Sequence, residues 1–134
     1  MNSLDYFKLR LEATLSPMDL AKAFKERPND FYLVDVRIGP PGLLKEKIKG
    51  AIIIPQDEIM ERMSEIPKEK EIWLYCWETW CSLAVKAAIP LLENEFRVKE
   101  LYGGIGAWKT LNLPTESLKL KENGDTTENI KCKC

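Results

Sequence analysis

The sequence predicts an α/β domain with a largely parallel central sheet and helices on both of its faces. Short apolar runs at residues 31–36, 50–55 and 71–75 have the composition of buried strands. Segments with the apolar spacing of helices separate these runs along the chain. A chain of 134 residues is long enough for one such domain but not for two. We therefore predict a single domain over residues 1–118.

Each element is assigned from its local pattern. Apolar and charged residues alternate between Phe7 and Ala13, which favours a half-buried strand, and Ser16-Pro17 supplies the cap and first residue of a helix. The predicted elements are a strand at 6–15, a helix from 17 to the turn at 27–30, a strand at 31–36, a short helix at 43–48, a strand at 50–55, a helix at 58–66, a strand at 71–75, a helix at 82–93, a strand at 98–102 and a helix from 105. Residues 119–134 are polar and are predicted to form a flexible tail.

Cys76 is the leading candidate for a functional residue. It ends the apolar strand at 71–75 and begins a short loop that enters a helix at Ser82. Ligands of parallel sheets bind beyond the carboxyl ends of the strands. Loop amides and the positive end of a helix dipole favour thiolate over thiol at such a position. We predict that Cys76 is a nucleophile; the alternative is a buried cysteine that acts as a small hydrophobe.

The loop after Cys76 holds a second thiol. The predicted active-site loop consists of Trp77, Glu78, Thr79, Trp80, Cys81 and Ser82. Only four residues separate the two cysteines, so a curled backbone would bring their Cα atoms within the separation of a disulfide. Cys81 is therefore predicted to be a resolving or protective thiol, or else a small residue in the first turn of the helix. The loop also contains two tryptophans, large apolar side chains that a short connection does not normally expose, and this favours a functional role for the loop.

Composition excludes several classes of function. The chain contains no histidine, which eliminates Cys-His and Ser-His dyads and the commonest metal ligand. A net charge of −1 gives no electrostatic basis for binding nucleic acid or an anionic membrane. No signal peptide or membrane span is evident, so cytoplasmic residence is expected. Cys132 and Cys134 match no familiar zinc module, and we expect neither a metal nor a cofactor.

Four ordered segments resemble the signatures of single-domain rhodaneses. They are Tyr32–Arg37, Ile48–Pro55, Tyr75-Cys76 with its loop to Ser82, and Gly103–Trp108. This resemblance covers roughly residues 17–113 and implies a rhodanese-like fold and a sulfurtransferase. It also implies that Cys76 carries a persulfide, that the amides of residues 77–81 surround it, and that Asp35 and Arg37 support neighbouring loops as an ion pair. The Cys-Trp-x-x-x-Cys loop resembles that of a subgroup of the family.

The loop departs from the usual family pattern. The resemblance would place an arginine or another cation before Ser82, whereas this chain has Cys81, and Glu78 is the only ionisable group between the cysteines. A loop without positive charge disfavours doubly anionic thiosulfate, so persulfide or polysulfide donors fit better. The expected partners are a small-molecule sulfur donor and acceptor, with a protein thiol as an alternative acceptor. The alternatives are a redox or sensor module that cycles Cys76 and Cys81, and a non-catalytic binding module that presents Trp77 and Trp80.

Overall fold

The computed structural model describes residues 1–118. Within this part of the chain there are four α-helices and seven β-strands, which follow one another as α1 (Ser3–Ala13), β1 (Thr14–Leu15), α2 (Pro17–Glu26), β2 (Phe31–Asp35), β3 (Glu46–Ile48), β4 (Ile52–Ile53), β5 (Glu71–Tyr75), α3 (Leu83–Glu93), β6 (Val98–Leu101), α4 (Gly104–Thr110) and β7 (Thr115–Ser117). The predicted tail at 119–134, with Cys132 and Cys134, lies outside the described residues.

Five of the strands form a parallel sheet in the order β1-β6-β5-β2-β4. This confirms the predicted α/β class. In the centre of the sheet β2 and β5 lie side by side, and the last residue of one, Asp35, is opposite the last residue of the other, Tyr75. The carboxyl ends of the two central strands are therefore level, and the loops that follow them begin next to each other.

Alternate side chains of the central strands point to opposite faces of the sheet, and each face has its own apolar core. Val34 and Leu74 face α3 in one cluster, which also contains Cys76. Leu33 and Trp73 lie in the other cluster. Trp108 of α4 is buried there. This covering of both faces explains why β2 and β5 read as nearly continuous apolar runs.

The predicted strand at 6–15 is wrong. Residues 3–13 form α1, and only Thr14–Leu15 pair with β6. Asn2 and Asp5 make a reciprocal capping box at the start of α1, and the Leu, Lys, Arg, Glu and Ala residues that follow are good helix formers. None of the side chains of α1 is buried, so the alternation of apolar and charged residues has no core to face.

Three predictions between β2 and β5 also need correction. The segment predicted as a helix at 43–48 contains β3, which pairs antiparallel with β7, a strand that the sequence analysis did not predict. The strand predicted at 50–55 is reduced to Ile52–Ile53, which lies at the sheet edge and is partly exposed. The helix predicted at 58–66 is replaced by two 3-10 turns at Gln56–Glu58 and Met63–Glu65. The secondary structure of these short segments depends on pairing with distant strands and on their position at the sheet edge. Neither can be recognised from the local pattern of residues.

The other helices agree with the prediction. Ser16 caps α2 in a capping box with Asp19, and Pro17 is its first residue. The helix predicted at 82–93 is α3, with Ser82 at its N-cap position. No helix in residues 1–118 has the length and apolar character needed to cross a membrane.

Candidate active site

Cys76 lies directly after β5, and the first turn of α4 holds its backbone in place. The amide of Ile105 donates to the carbonyl oxygen of Cys76 at 3.1 Å. The amide of Gly106 donates to the carbonyl oxygen of Trp77 at 2.9 Å. Two successive carbonyls of the loop therefore satisfy amides at the start of α4, which otherwise have no partner within the helix. The position of Cys76 depends on a helix that lies about thirty residues further along the chain.

Gly104 makes this close approach possible. Its φ is +59°, and a Cβ added to it would lie 2.5 Å from the carbonyl oxygen of Cys76. A side chain would therefore force the helix away from the loop, and the backbone conformation would also be strained. From the sequence, Gly104 was selected only as part of the segment Gly103–Trp108 that resembles the family signature.

Cys76 and Cys81 are joined by a disulfide, with their Cα atoms 6.3 Å apart. Both residues are buried, with 3% and 5% of their surface exposed, and they share one apolar cluster with Val36 and Leu83. In this oxidised state neither sulfur is a nucleophile. Attack by Cys76 therefore requires the reduced form of the pair.

Between the two cysteines, Trp77 packs against neighbouring residues, and the other three side chains are exposed. Trp77 is half-buried, donates from its Nε1 to the carbonyl oxygen of Ile38 at 3.2 Å, and lies under the guanidinium of Arg37 at 4.7 Å. Glu78 and Thr79 are exposed, and Trp80 has 62% of its surface exposed. The alternative of a binding module would present both tryptophans to a partner, but the indole of Trp77 instead holds the loop against the segment after β2.

One loop amide has a role other than the predicted one. The amide of Cys81 donates to the carbonyl oxygen of Glu78 at 3.2 Å and closes a turn. The predicted ring of amides around the Cys76 sulfur would therefore have to be built from the other residues of the loop. Ser82 follows as the N-cap residue of α3, without a side-chain hydrogen bond to the helix.

Asp35 and Arg37 form the predicted ion pair, and both are buried. Nη2 of Arg37 lies 2.8 Å from Oδ2 of Asp35, and the Arg37 Nε donates to both carboxylate oxygens. Nη2 also donates to the carbonyl oxygen of Glu46, the first residue of β3. Because Arg37 also stacks on Trp77, the pair connects the end of β2 both to β3 and to the cysteine loop.

Tyr75 extends this network, and the sequence analysis missed it. Its hydroxyl donates to Oδ2 of Asp35 at 2.8 Å and accepts from the amide of Ile48 at 3.0 Å. Burial, and then the Asp35 carboxylate, raise the pKa of Tyr75 far above its ordinary value. The phenol therefore stays protonated and acts as a donor, although it directly precedes Cys76. In the sequence, Tyr75 is the last residue of an apolar strand, and nothing in that pattern indicates that its hydroxyl has a polar partner.

A pocket of about 220 Å³ lies beside the loop. Its walls include Trp77, Glu78 and Trp80 from the loop, and also residues that the sequence analysis did not select: Lys45, Glu46 and Lys109. Lys109 forms an ion pair with Glu46 at 2.6 Å, and this hydrogen bond holds the pKa of the Glu46 carboxyl below its usual value. The cations that the loop itself lacks are thus supplied by Lys45, directly before β3, and by Lys109 of α4. Lys45 and Lys109 are far from the cysteine loop in the sequence, and only the topology of the fold places them beside it.

Comparison with known proteins gives a consistent result. A family model for the rhodanese-like domain matches residues 16–111. A protein named sulfurtransferase from Allochromatium vinosum is 36% identical over 86 residues, which are 63% of this chain and 78% of that protein. A full-length protein from Lactobacillus plantarum superposes with a TM-score of 0.80 at 27% identity, over 86% of this chain and 96% of that one. The BH2092 protein from Bacillus halodurans superposes with a TM-score of 0.75 at 34% identity, over 85% and 83% of the two chains. The chain belongs to the rhodanese-like domain family.

Proposed function

We propose that this protein is a sulfurtransferase in which Cys76 carries the transferred sulfur as a persulfide. The observation that carries the proposal is the position of Cys76 at the carboxyl end of a central parallel strand, fixed by its hydrogen bond from Ile105. Membership of the rhodanese-like family and the similarity to a protein named sulfurtransferase support a general role in sulfur transfer.

The proposed reaction has two steps. The Cys76 thiolate attacks the outer sulfur of a donor, a new S–S bond forms, and the bond between the two donor sulfurs breaks as the donor thiolate leaves. An acceptor thiolate then attacks the outer sulfur of the Cys76 persulfide and takes it away, which regenerates the Cys76 thiolate. The ion pair of Asp35 and Arg37 positions the loop through Trp77, and touches neither donor nor acceptor in this scheme.

We propose persulfides or polysulfides as donors in preference to thiosulfate. The loop offers no cation, and the pocket beside it carries both signs of charge: Lys45 and Lys109 line it together with Glu46 and Glu78, and its third cation, Arg37, is paired with Asp35. Such a mixed environment offsets only part of the double charge of thiosulfate. A persulfide, with less charge at its reacting end, requires less compensation.

The test is mass spectrometry of the reduced protein after exposure to glutathione persulfide, polysulfide or thiosulfate. We expect the Cys81→Ser variant to gain the mass of one sulfur atom on Cys76 with the first two donors, and Cys76→Ser to gain none at this position. A Cys81→Ser protein that stays folded and acquires no sulfur from any donor would show that the proposal is wrong.

The disulfide favours a second candidate function, a redox module that cycles between the dithiol and the disulfide of Cys76 and Cys81. In that case an oxidant without sulfane sulfur would close the pair as fast as a persulfide does. The non-catalytic binding module has less support, because the indole of Trp77 is engaged by Ile38 and Arg37.

A further inference from the structure

The disulfide identifies which atom Cys81 can reach. Its sulfur bonds to the Sγ of Cys76 itself, across four intervening residues. In a Cys76 persulfide this Sγ is the inner sulfur, and the transferred sulfur lies one bond further out. Attack by Cys81 at the position seen in the structure would therefore break the bond between the inner and outer sulfurs.

We infer that Cys81 resolves the Cys76 persulfide and releases its outer sulfur as sulfide, an inference that rests on the function proposed above. The Cys81 sulfur attacks Sγ of Cys76, a disulfide forms, and hydrosulfide leaves with the outer sulfur. The two cysteine sulfurs give up two electrons and the sulfane sulfur gains them. The proton of the Cys81 thiol leaves with the hydrosulfide as hydrogen sulfide or passes to solvent. The protein is then a persulfide reductase.

Burial of the pair favours this internal route over transfer to an external thiol. Both cysteines belong to one apolar cluster and are almost inaccessible in the disulfide state, so any external reagent, donor or acceptor, has to open the loop each time it reacts with Cys76. Cys81 has no such barrier, because a short loop holds it at a high effective concentration near Cys76. Hydrosulfide is also a weaker base than an alkyl thiolate and therefore leaves more readily.

The backbone on both sides of the pair is anchored for such a reaction. The Ile105 amide fixes the carbonyl of Cys76, and the turn between Glu78 and Cys81 directs the second thiol back toward the first. The cycle closes when an external dithiol reduces the disulfide. In sum, a persulfide and a dithiol become a thiol, hydrogen sulfide and a disulfide, so the protein would serve a reaction that consumes sulfide or removes excess persulfide.

The experiment uses the full chain with Cys132→Ser and Cys134→Ser, which leaves only the loop cysteines. The reduced protein is mixed with glutathione persulfide without air or added reductant, and released sulfide and intact mass are followed, with the Cys76→Ser variant as the baseline. We expect about one equivalent of sulfide per chain and the loss of two hydrogens across Cys76 and Cys81. Cys81→Ser should keep the added sulfur on Cys76 and release sulfide at least about tenfold more slowly. Cys81→Ala should behave in the same way, and circular dichroism of both variants shows whether either substitution disturbs folding.

Two results would overturn the inference, and they differ from each other. If the two-cysteine protein holds its Cys76 persulfide as long as Cys81→Ser does, the internal step does not occur, while the proposed sulfurtransferase function stands. If neither protein acquires sulfur although both are folded, the proposed function fails and the inference fails with it. Repeated sulfide release on addition of dithiothreitol would support the complete cycle.

Discussion

The amide of Ile105 donates to the carbonyl oxygen of Cys76 at 3.1 Å, so the start of α4 fixes the backbone of the proposed nucleophile. The contact is close because the residue before Ile105 is Gly104. Two segments of the chain thus define the site: the loop that contains Cys76, and the start of α4, which holds that loop in place. Substitutions at the start of α4 should therefore alter the chemistry at Cys76 although they contact no sulfur atom.

Gly104→Ala should destabilise the protein and slow sulfur loading of Cys76. The added Cβ would collide with backbone atoms of Cys76, which cannot move aside as a side chain can. This clash adds to the strain of a non-glycine residue at positive φ. We therefore expect the free energy of unfolding to fall by at least about 2 kcal/mol. Chemical denaturation and the rate of persulfide formation measure the two effects.

Gly106→Ala is the matched control, two residues further along α4. Its Cβ would overlap the carboxylate of Glu78, the far end of an exposed and flexible side chain. Glu78 can therefore rotate away, and we expect little change in stability. Equal losses for the two alanine variants would mean that the contact between Gly104 and Cys76 does not hold the loop.

Arg37→Met should destabilise the protein more than Tyr75→Phe does. Without Arg37, the buried Asp35 carboxylate has no cation to compensate it, a change that costs about 3–5 kcal/mol. Without the Tyr75 hydroxyl, one donor to Asp35 and one acceptor for Ile48 are lost, which costs about 1–3 kcal/mol. Denaturation of both variants at neutral pH gives the comparison.

Tyr75→Phe also tests whether the phenol takes part in the chemistry. Because burial raises its pKa, Tyr75 keeps its proton and cannot accept one from Cys76. Tyr75→Phe should therefore load sulfur at a rate close to that of the unsubstituted protein. A folded Tyr75→Phe protein that cannot form the persulfide would assign the phenol a direct role.

The long central elements could be predicted from the sequence because local pattern and tertiary environment agree there. β2 and β5 are apolar on both faces, and the capping residues Ser16 and Pro17 mark the start of α2 wherever the helix packs. α1 was misread because its side chains face solvent, so the spacing of its apolar residues reports no core. β3 and β7 exist only because they pair with each other, although their paired residues are 67 or more positions apart in the chain.

The site shows the same division. Cys76, Cys81, Asp35 and Arg37 could be selected because each stands at the end of a strand or in the loop that follows. Lys45, Glu46 and Lys109 could not, since they become neighbours of the loop only through the β3 pairing and the position of α4. Sequence spacing also permitted the disulfide without requiring it, because the backbone has to curl first.

Glu78→Gln should improve the use of thiosulfate as a donor. The Glu78 carboxylate lines the pocket beside the loop, where it repels an anion and counteracts Lys45 and Lys109. Removal of one partly screened charge should raise kcat/KM for thiosulfate by about threefold, with a smaller effect at high salt. Steady-state kinetics at two ionic strengths measure both expectations.

Glu93→Gln serves as the control for this charge, because Glu93 is exposed at the opposite end of α3 from the loop. It should leave the kcat/KM for thiosulfate and for glutathione persulfide unchanged. If Glu78→Gln behaves like the control, the pocket beside the loop is not where an anionic donor approaches Cys76.

Glu100→Gln should stabilise the protein at neutral pH but not in acid. Glu100 lies in β6, between Leu74 of β5 and Thr14 of β1, and burial raises its pKa above the ordinary value. A carboxyl whose pKa is higher in the folded state stabilises that state only while protonated, so this contribution is lost as pH rises through the folded pKa. Glutamine cannot ionise, and its advantage should therefore grow between about pH 4 and pH 7. Thermal denaturation across this range measures the difference, with Glu12→Gln on the exposed face of α1 as a control for net charge. An advantage that does not change with pH would show that the Glu100 carboxyl is not desolvated in β6.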